Sequence, residues 1–117
     1  MKILILDDTR NRRNQLADAL QKKRFEITAC YASNDFITII EKNKFDMLLL
    51  DMESWNRGKS IYNYFGIARR LEKLPIVFYN AAANSSALND RPRHAKDRFL
   101  FKPTEADAVI AALQENR

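Results

Sequence analysis

Three short runs of uninterrupted apolar residues, each ending at a polar side chain, constrain this chain more than any other feature. Ile3 to Leu6 stops at Asp7-Asp8, Met47 to Leu50 stops at Asp51, and Ile76 to Tyr79 stops at Asn80. A strand that is apolar on both faces must be covered on both faces, which is the condition of a central strand in a parallel sheet. Between the runs, apolar residues recur at helical spacing. Leu16, Ala19 and Leu20 do so within Arg10 to Lys23, Phe36, Ile37 and Ile40 after Ser33, Tyr64, Phe65, Ala68 and Leu71 within Ile61 to Glu72, and Val109, Ile110 and Leu113 after Thr104. Thr9, Ser33 and Thr104 stand where helix caps are expected. Phe25 to Tyr31 alternates instead, Phe25, Ile27 and Ala29 against Glu26, Thr28 and Cys30, the pattern of an edge strand. Met52 to Ser60 is polar and reads as a loop, and Arg98 to Phe101 as a short fifth strand. The order is βα repeated five times, which predicts an α/β fold with a parallel sheet, right-handed crossovers and helices on both faces. The helix between strands four and five should be short or irregular, because Pro92 interrupts it.

With 117 residues, the chain suits one compact domain spanning 1–117, and 46% hydrophobic residues supply its core. The 30% charged residues argue against disorder. No apolar run approaches the roughly 20 residues of a membrane span. Met1-Lys2 with Ile3 to Leu6 is too short for a signal peptide and is followed at once by two aspartates. The lone Cys30 agrees with a reducing compartment, and the expected location is cytoplasmic. Net charge is +5, but the basic residues are scattered from Arg10, Arg12 and Arg13 to Arg91 and Arg93. That predicts a solvated mixed-charge surface rather than a nucleic-acid face. The single histidine, His94, reads as a loop residue.

In open parallel sheets, ligands bind outside the carboxyl ends of the strands. Asp7 and Asp8, Asp51, Asn80 and Lys102 all fall there. Three carboxylates gathered at one edge repel each other unless a cation sits among them. A hard divalent ion, Mg2+ above all, is the natural partner of oxygen ligands. A lysine at the same edge suits an anionic oxygen such as that of a phosphoryl group. Each residue alone has an ordinary explanation: an acid pair at a helix N-terminus, an aspartate capping a turn, a solvated lysine. Their coincidence at one edge is what favours chemistry.

Over essentially its whole length the chain resembles the receiver domains of two-component response regulators. The carrying features are Asp7-Asp8 after strand one, Asp51 after Met47 to Leu50, and Phe101-Lys102-Pro103 after strand five. Asp8 and Asp51 are 43 residues apart, and Asp51 and Lys102 are 51 apart. The resemblance implies the flavodoxin-like receiver fold, strand order 2-1-3-4-5. It implies that Asp51 is a phosphoacceptor, attacking the phosphohistidine of a histidine kinase or phosphotransfer protein. Asp7, Asp8, Asp51 and the backbone carbonyl of Glu53 would hold Mg2+, and Lys102 would meet a phosphoryl oxygen. A cis Lys102-Pro103 peptide would aim that lysine inward. No enzymatic activity is expected beyond Mg2+-dependent phosphorylation and dephosphorylation at Asp51. Output would come through a downstream protein target, without direct contact to nucleic acid or membrane.

The switch positions depart from the family's pattern. Asn80 stands where Ser or Thr is usual, and Phe99 occupies the switch aromatic position without a hydroxyl. Trp55 replaces a common proline, as a pocket cover or as loop packing, and Glu53 adds a carboxylate. These departures define the alternative, a pseudo-receiver acting as a constitutive interaction module. A haloacid dehalogenase-type phosphatase is disfavoured, because that family's Asp-x-Asp does not match the adjacent Asp7-Asp8.

Overall fold

The computed structural model describes residues 1–57, 74–81 and 97–115. Five strands, β1 (Lys2–Leu6), β2 (Glu26–Cys30), β3 (Met47–Asp51), β4 (Ile76–Ala81) and β5 (Arg98–Phe101), form one sheet. All neighbouring pairs are parallel, as the apolar pattern predicts, and the order is β2-β1-β3-β4-β5, as the resemblance implies. The described helices are α1 (Arg10–Lys22), α2 (Ser33–Lys42), α3 (Met52–Arg57) and α4 (Ala106–Glu115). The helix expected over Ile61 to Glu72, Gly58, His94 and the segment around Pro92 lie outside the described residues.

The apolar runs are buried on both faces because alternate side chains enter two different cores. Leu4, Leu6, Leu48, Leu50, Ile76 and Phe78 point to one side, where Phe36 and Ile40 of α2 cover them. Ile3, Ile5, Met47, Leu49, Val77 and Tyr79 point to the other, under Leu16 and Leu20 of α1 and Val109 and Leu113 of α4. Successive residues of a strand face opposite ways, so an unbroken apolar run is what a two-sided core demands. The edge strand β2 keeps this geometry with less cover: Glu26, Thr28 and Ala29 are exposed. Cys30, assigned from the alternation to the exposed face, is buried beside Leu4 and Leu6. Burial first, then the charge of Asp35, pushes its thiol up to about 12. At neutral pH Cys30 is therefore a protonated packing group, donating its S–H to the carbonyl of Ile5.

Local punctuation differs from the sequence reading at several points. Met52–Arg57, read as a loop, is a helix that starts directly after β3. Its polar composition concealed two apolar residues at i, i+3: Met52 and Trp55 both enter the core beside Phe78, so packing overrides composition. Trp55 is thus a core residue rather than a pocket cover, its ring 6.0 Å from that of Phe78. α2 begins at Ser33 itself, with Ala32 at the cap position. Thr9 occupies the cap position of α1, but its side chain makes no capping bond. Thr104 lies ahead of Glu105, whose carbonyl accepts the first bonds of α4 from the N–H groups of Ala108 and Val109. The Thr104 side chain is taken up elsewhere, as described below. α1 ends with Arg24 in the left-handed region (φ 71). The N–H groups of Arg24 and Phe25 close onto the carbonyls of Gln21 and Leu20, satisfying two orphan acceptors of the last turn.

Candidate functional site

β1 and β3 are adjacent, so their ends deliver Asp7, Asp8 and Asp51 to one place. Carboxylate oxygens of the three lie within 4.8 Å of one another. Asp7 and Asp51 are fully buried, whereas Asp8 is exposed. Oxygen donors of this charge and spacing fit a hard divalent cation such as Mg2+. Glu53 is exposed and stands in the first turn of α3, where a helical carbonyl is directed along the axis toward residue 57.

Three side chains that the sequence reading did not select complete the cluster. Arg12, one turn into α1, forks onto Asp7, with Nε 2.6 Å from Oδ2 and Nη2 2.9 Å from Oδ1. The same Nη2 donates to Asp51 Oδ2 at 3.1 Å. Tyr79, in β4, donates its hydroxyl to Asp7 Oδ2 at 2.7 Å. Ser54, in α3, donates to Asp51 Oδ2 at 2.6 Å and accepts the backbone N–H of Asp8 at 2.9 Å. Burial pulls the Arg12 pKa down, but the hydrogen bonds and charge of Asp7, with the charge of Asp51, more than offset it, and the net movement is upward. Tyr79 is likewise held protonated, first by burial and then by the charge of Asp7 beside it. Arg12 therefore remains a cation and Tyr79 a donor across the working pH range.

Asn80 and Phe99 are equally well defined. β4 continues through Asn80 to Ala81, two residues beyond the apolar run. Asn80 sits at φ 55 and donates its side-chain amide to Asp51 Oδ1 at 3.0 Å. Two more of its polar groups bond Thr104: the backbone N–H donates to Thr104 Oγ1 (3.0 Å), and Oδ1 accepts the Thr104 N–H (2.8 Å). Asn is among the few non-glycine types that adopt left-handed φ readily, while β-branched residues resist it. The backbone thus accounts for an amide where the family has a hydroxyl. Asn80→Thr, despite restoring the usual residue type, is expected to destabilise the domain by about 1–3 kcal/mol. Urea denaturation checks this; an unchanged midpoint would show that β4 relaxes out of its left-handed turn. Phe99 is half-buried and stacks on its β4 neighbour Phe78, rings 4.9 Å apart and 3° from parallel.

Lys102 follows β5, its N–H bonded to the carbonyl of Ala81, and the Lys102-Pro103 peptide is cis. Its side chain is exposed and forms no ion pair with Asp7 or Asp51. Among the described residues, the cation on the buried carboxylates is Arg12. In the sequence Arg12 is indistinguishable from its neighbours Arg10 and Arg13; only the place of Asp7 one turn earlier on a helix-starting loop hints at its direction.

A family model for the response regulator receiver domain matches residues 3–114. No curated protein matches the sequence. Among solved structures, a two-component response regulator from Clostridium difficile is 26% identical with a TM-score of 0.69, covering 99% of this chain and 94% of its own. The chemotaxis response regulator CheY4 of Vibrio cholerae is 16% identical with a TM-score of 0.74, covering 99% and 98%. The response regulator TrrA from Thermotoga maritima, solved with Mg(2+)-BeF, is 15% identical with a TM-score of 0.67, covering 99% and 98%.

Proposed function

The chain belongs to the response regulator receiver family, and from that premise we propose that it accepts a phosphoryl group on Asp51 and signals through contact with another protein. The observation that carries this reading is the placement of Asp51 at the end of the buried strand β3, with Asp7 and Asp8 beside it. A carboxylate fixed on a rigid strand by Asn80 and Ser54 would be oriented for in-line attack, which matters more to phosphoryl transfer than covalent help. In this reading an Asp51 oxygen bonds to phosphorus as the bond from phosphorus to the donor's imidazole nitrogen breaks. The donor is a histidine kinase or phosphotransfer protein. Asp7, Asp8 and Asp51 would hold Mg2+, which neutralises charge on the phosphoryl oxygens when bound. The Asn80 amide, already donating to Asp51, would follow the new phosphoryl group. Lys102, its side chain exposed beyond β5, would swing to a phosphoryl oxygen. The complex of TrrA with Mg(2+)-BeF supports the same use of the fold.

The test is incubation with Mg2+ and a small phosphodonor, such as phosphoramidate, followed by intact mass. Wild type should gain one phosphoryl group and Asp51→Asn none. An unmodified wild type, or equal gain in both, would overturn the assignment of Asp51.

A further inference from the structure

Each carboxylate oxygen has room for about two donors, and at Asp7 that room is full. Oδ1 accepts the Thr9 N–H and Arg12 Nη2, and Oδ2 accepts Arg12 Nε and the Tyr79 hydroxyl. At Asp51, Oδ2 is filled by Ser54 and Arg12 Nη2, while Oδ1 has, among the described residues, Asn80 alone. A divalent ion that used Asp7, or Asp51 Oδ2, would have to take a lone pair now held by a donor. Positive charge reaches the Asp7 carboxylate through the bidentate Arg12 fork. That fork is braced: Nη2 reaches Thr9 Oγ1 at 3.2 Å, and the guanidinium carbon lies 5.5 Å from the Tyr79 ring centre. The Arg12 side chain is 17% exposed, so the pair is largely out of water without being sealed.

We propose that Arg12 is a resident counter-cation of the acid site, and that guanidinium and divalent metal exclude each other at the Asp7 carboxylate and at Asp51 Oδ2. This rests on the reading of the site as one that takes a divalent ion. The consequence is regulatory. The site is charge-compensated without metal, its metal affinity is lowered by the cost of displacing Arg12, and phosphoryl acceptance begins with the release of that side chain. Anything that draws Arg12 outward, such as an acidic group on a docking partner, would open the site to metal.

The experiment is a titration with Mg2+ alone, read by calorimetry and by the fluorescence of Trp55, the chain's one tryptophan. Arg12→Ala and Arg12→Gln are compared with wild type. Both variants should bind Mg2+ at least about tenfold more tightly. In wild type, the Arg12 Nε–H resonance should be protected from exchange without metal and lose that protection at saturating Mg2+. Equal or weaker affinity in a folded variant, or protection that survives saturation in wild type, would overturn the proposal. If Arg12→Ala folds only with Mg2+ present, Arg12→Gln and the wild-type resonance still decide it. The phosphodonor assay separates this from the proposed function. Tighter Mg2+ binding in the variants with no phosphorylation of any protein would sink the phosphoacceptor role alone. Phosphorylation with equal Mg2+ affinities would sink the role of Arg12 alone.

Discussion

In metal-free buffer, Arg12→Ala should lower the stability of the domain by about 3–5 kcal/mol, because it strips the cation from two fully buried carboxylates. The magnitude follows from what is left behind. Asp7 keeps the Thr9 N–H and the Tyr79 hydroxyl, and Asp51 keeps Ser54 and Asn80, but among the described residues no other cation is bonded to either carboxylate, the Arg13 guanidinium reaching the Asp7 backbone carbonyl instead. Exposed ion pairs are worth about 1 kcal/mol or less, and this pair differs because both acids are out of water. Arg12→Lys should recover only part of the loss, since an ammonium cannot span Asp7 and Asp51 in the fork geometry. Adding Mg2+ should then stabilise the Ala variant by about 2.7 kcal/mol at a hundredfold excess over its Kd, and wild type by less at the same concentration. Urea denaturation with and without Mg2+ measures both effects. A loss under 1 kcal/mol, with no Mg2+ response, would mean that Asp7 and Asp51 are rehydrated once Arg12 is gone and that the burial of the site is not maintained.

The sheet was legible in the sequence because its cause is legible there. Ile3 to Leu6, Met47 to Leu50 and Ile76 to Tyr79 can be covered on both faces in few ways other than a parallel sheet with helices on both sides. The acid edge followed, since chain order alone puts Asp7, Asp8 and Asp51 at strand ends. Hydrogen-bond partners were not legible. Ser54 was hidden in a segment read as loop, because its helix is stabilised by Met52 and Trp55 entering the core rather than by local composition. Tyr79 read as one more apolar residue of a strand, although its ring is in the core and its hydroxyl is at the site. Arg12 was one basic residue among many, and only three-dimensional placement separates it from Arg10. Asn80 was placed at the edge by the apolar run that it ends, but the reason for an asparagine there, a left-handed backbone tied to Thr104, belongs to the fold. The residues that carry charge into the site were visible; those that compensate it were not.

The strand that carries Asp51 should be sensitive to truncation on both faces, and this is the sharpest test of the architecture that presents the site. Leu49 and Leu50 are neighbours in β3 and both are fully buried, yet they belong to different cores. Leu49 packs with the α1 and α4 side, among Leu16, Val109 and Leu113. Leu50 packs with the α2 and α3 side, among Phe36, Met52 and Trp55. Leu49→Ala and Leu50→Ala should therefore each cost about 2–5 kcal/mol, the lost transfer energy plus a cavity that neighbours only partly fill. Because the two cavities lie on opposite faces of the sheet without shared partners, the double variant should show near-additive losses. The edge strand supplies the contrast: Thr28→Ala, on an exposed face of β2, should stay within about 0.5 kcal/mol of wild type. Chemical denaturation of the four variants measures all of this. A large loss at Leu50 with little at Leu49 would mean that β3 is covered on one side only. The acid edge would then stand on a sheet open to water on the face that now bears α1, the helix from which Arg12 reaches the site.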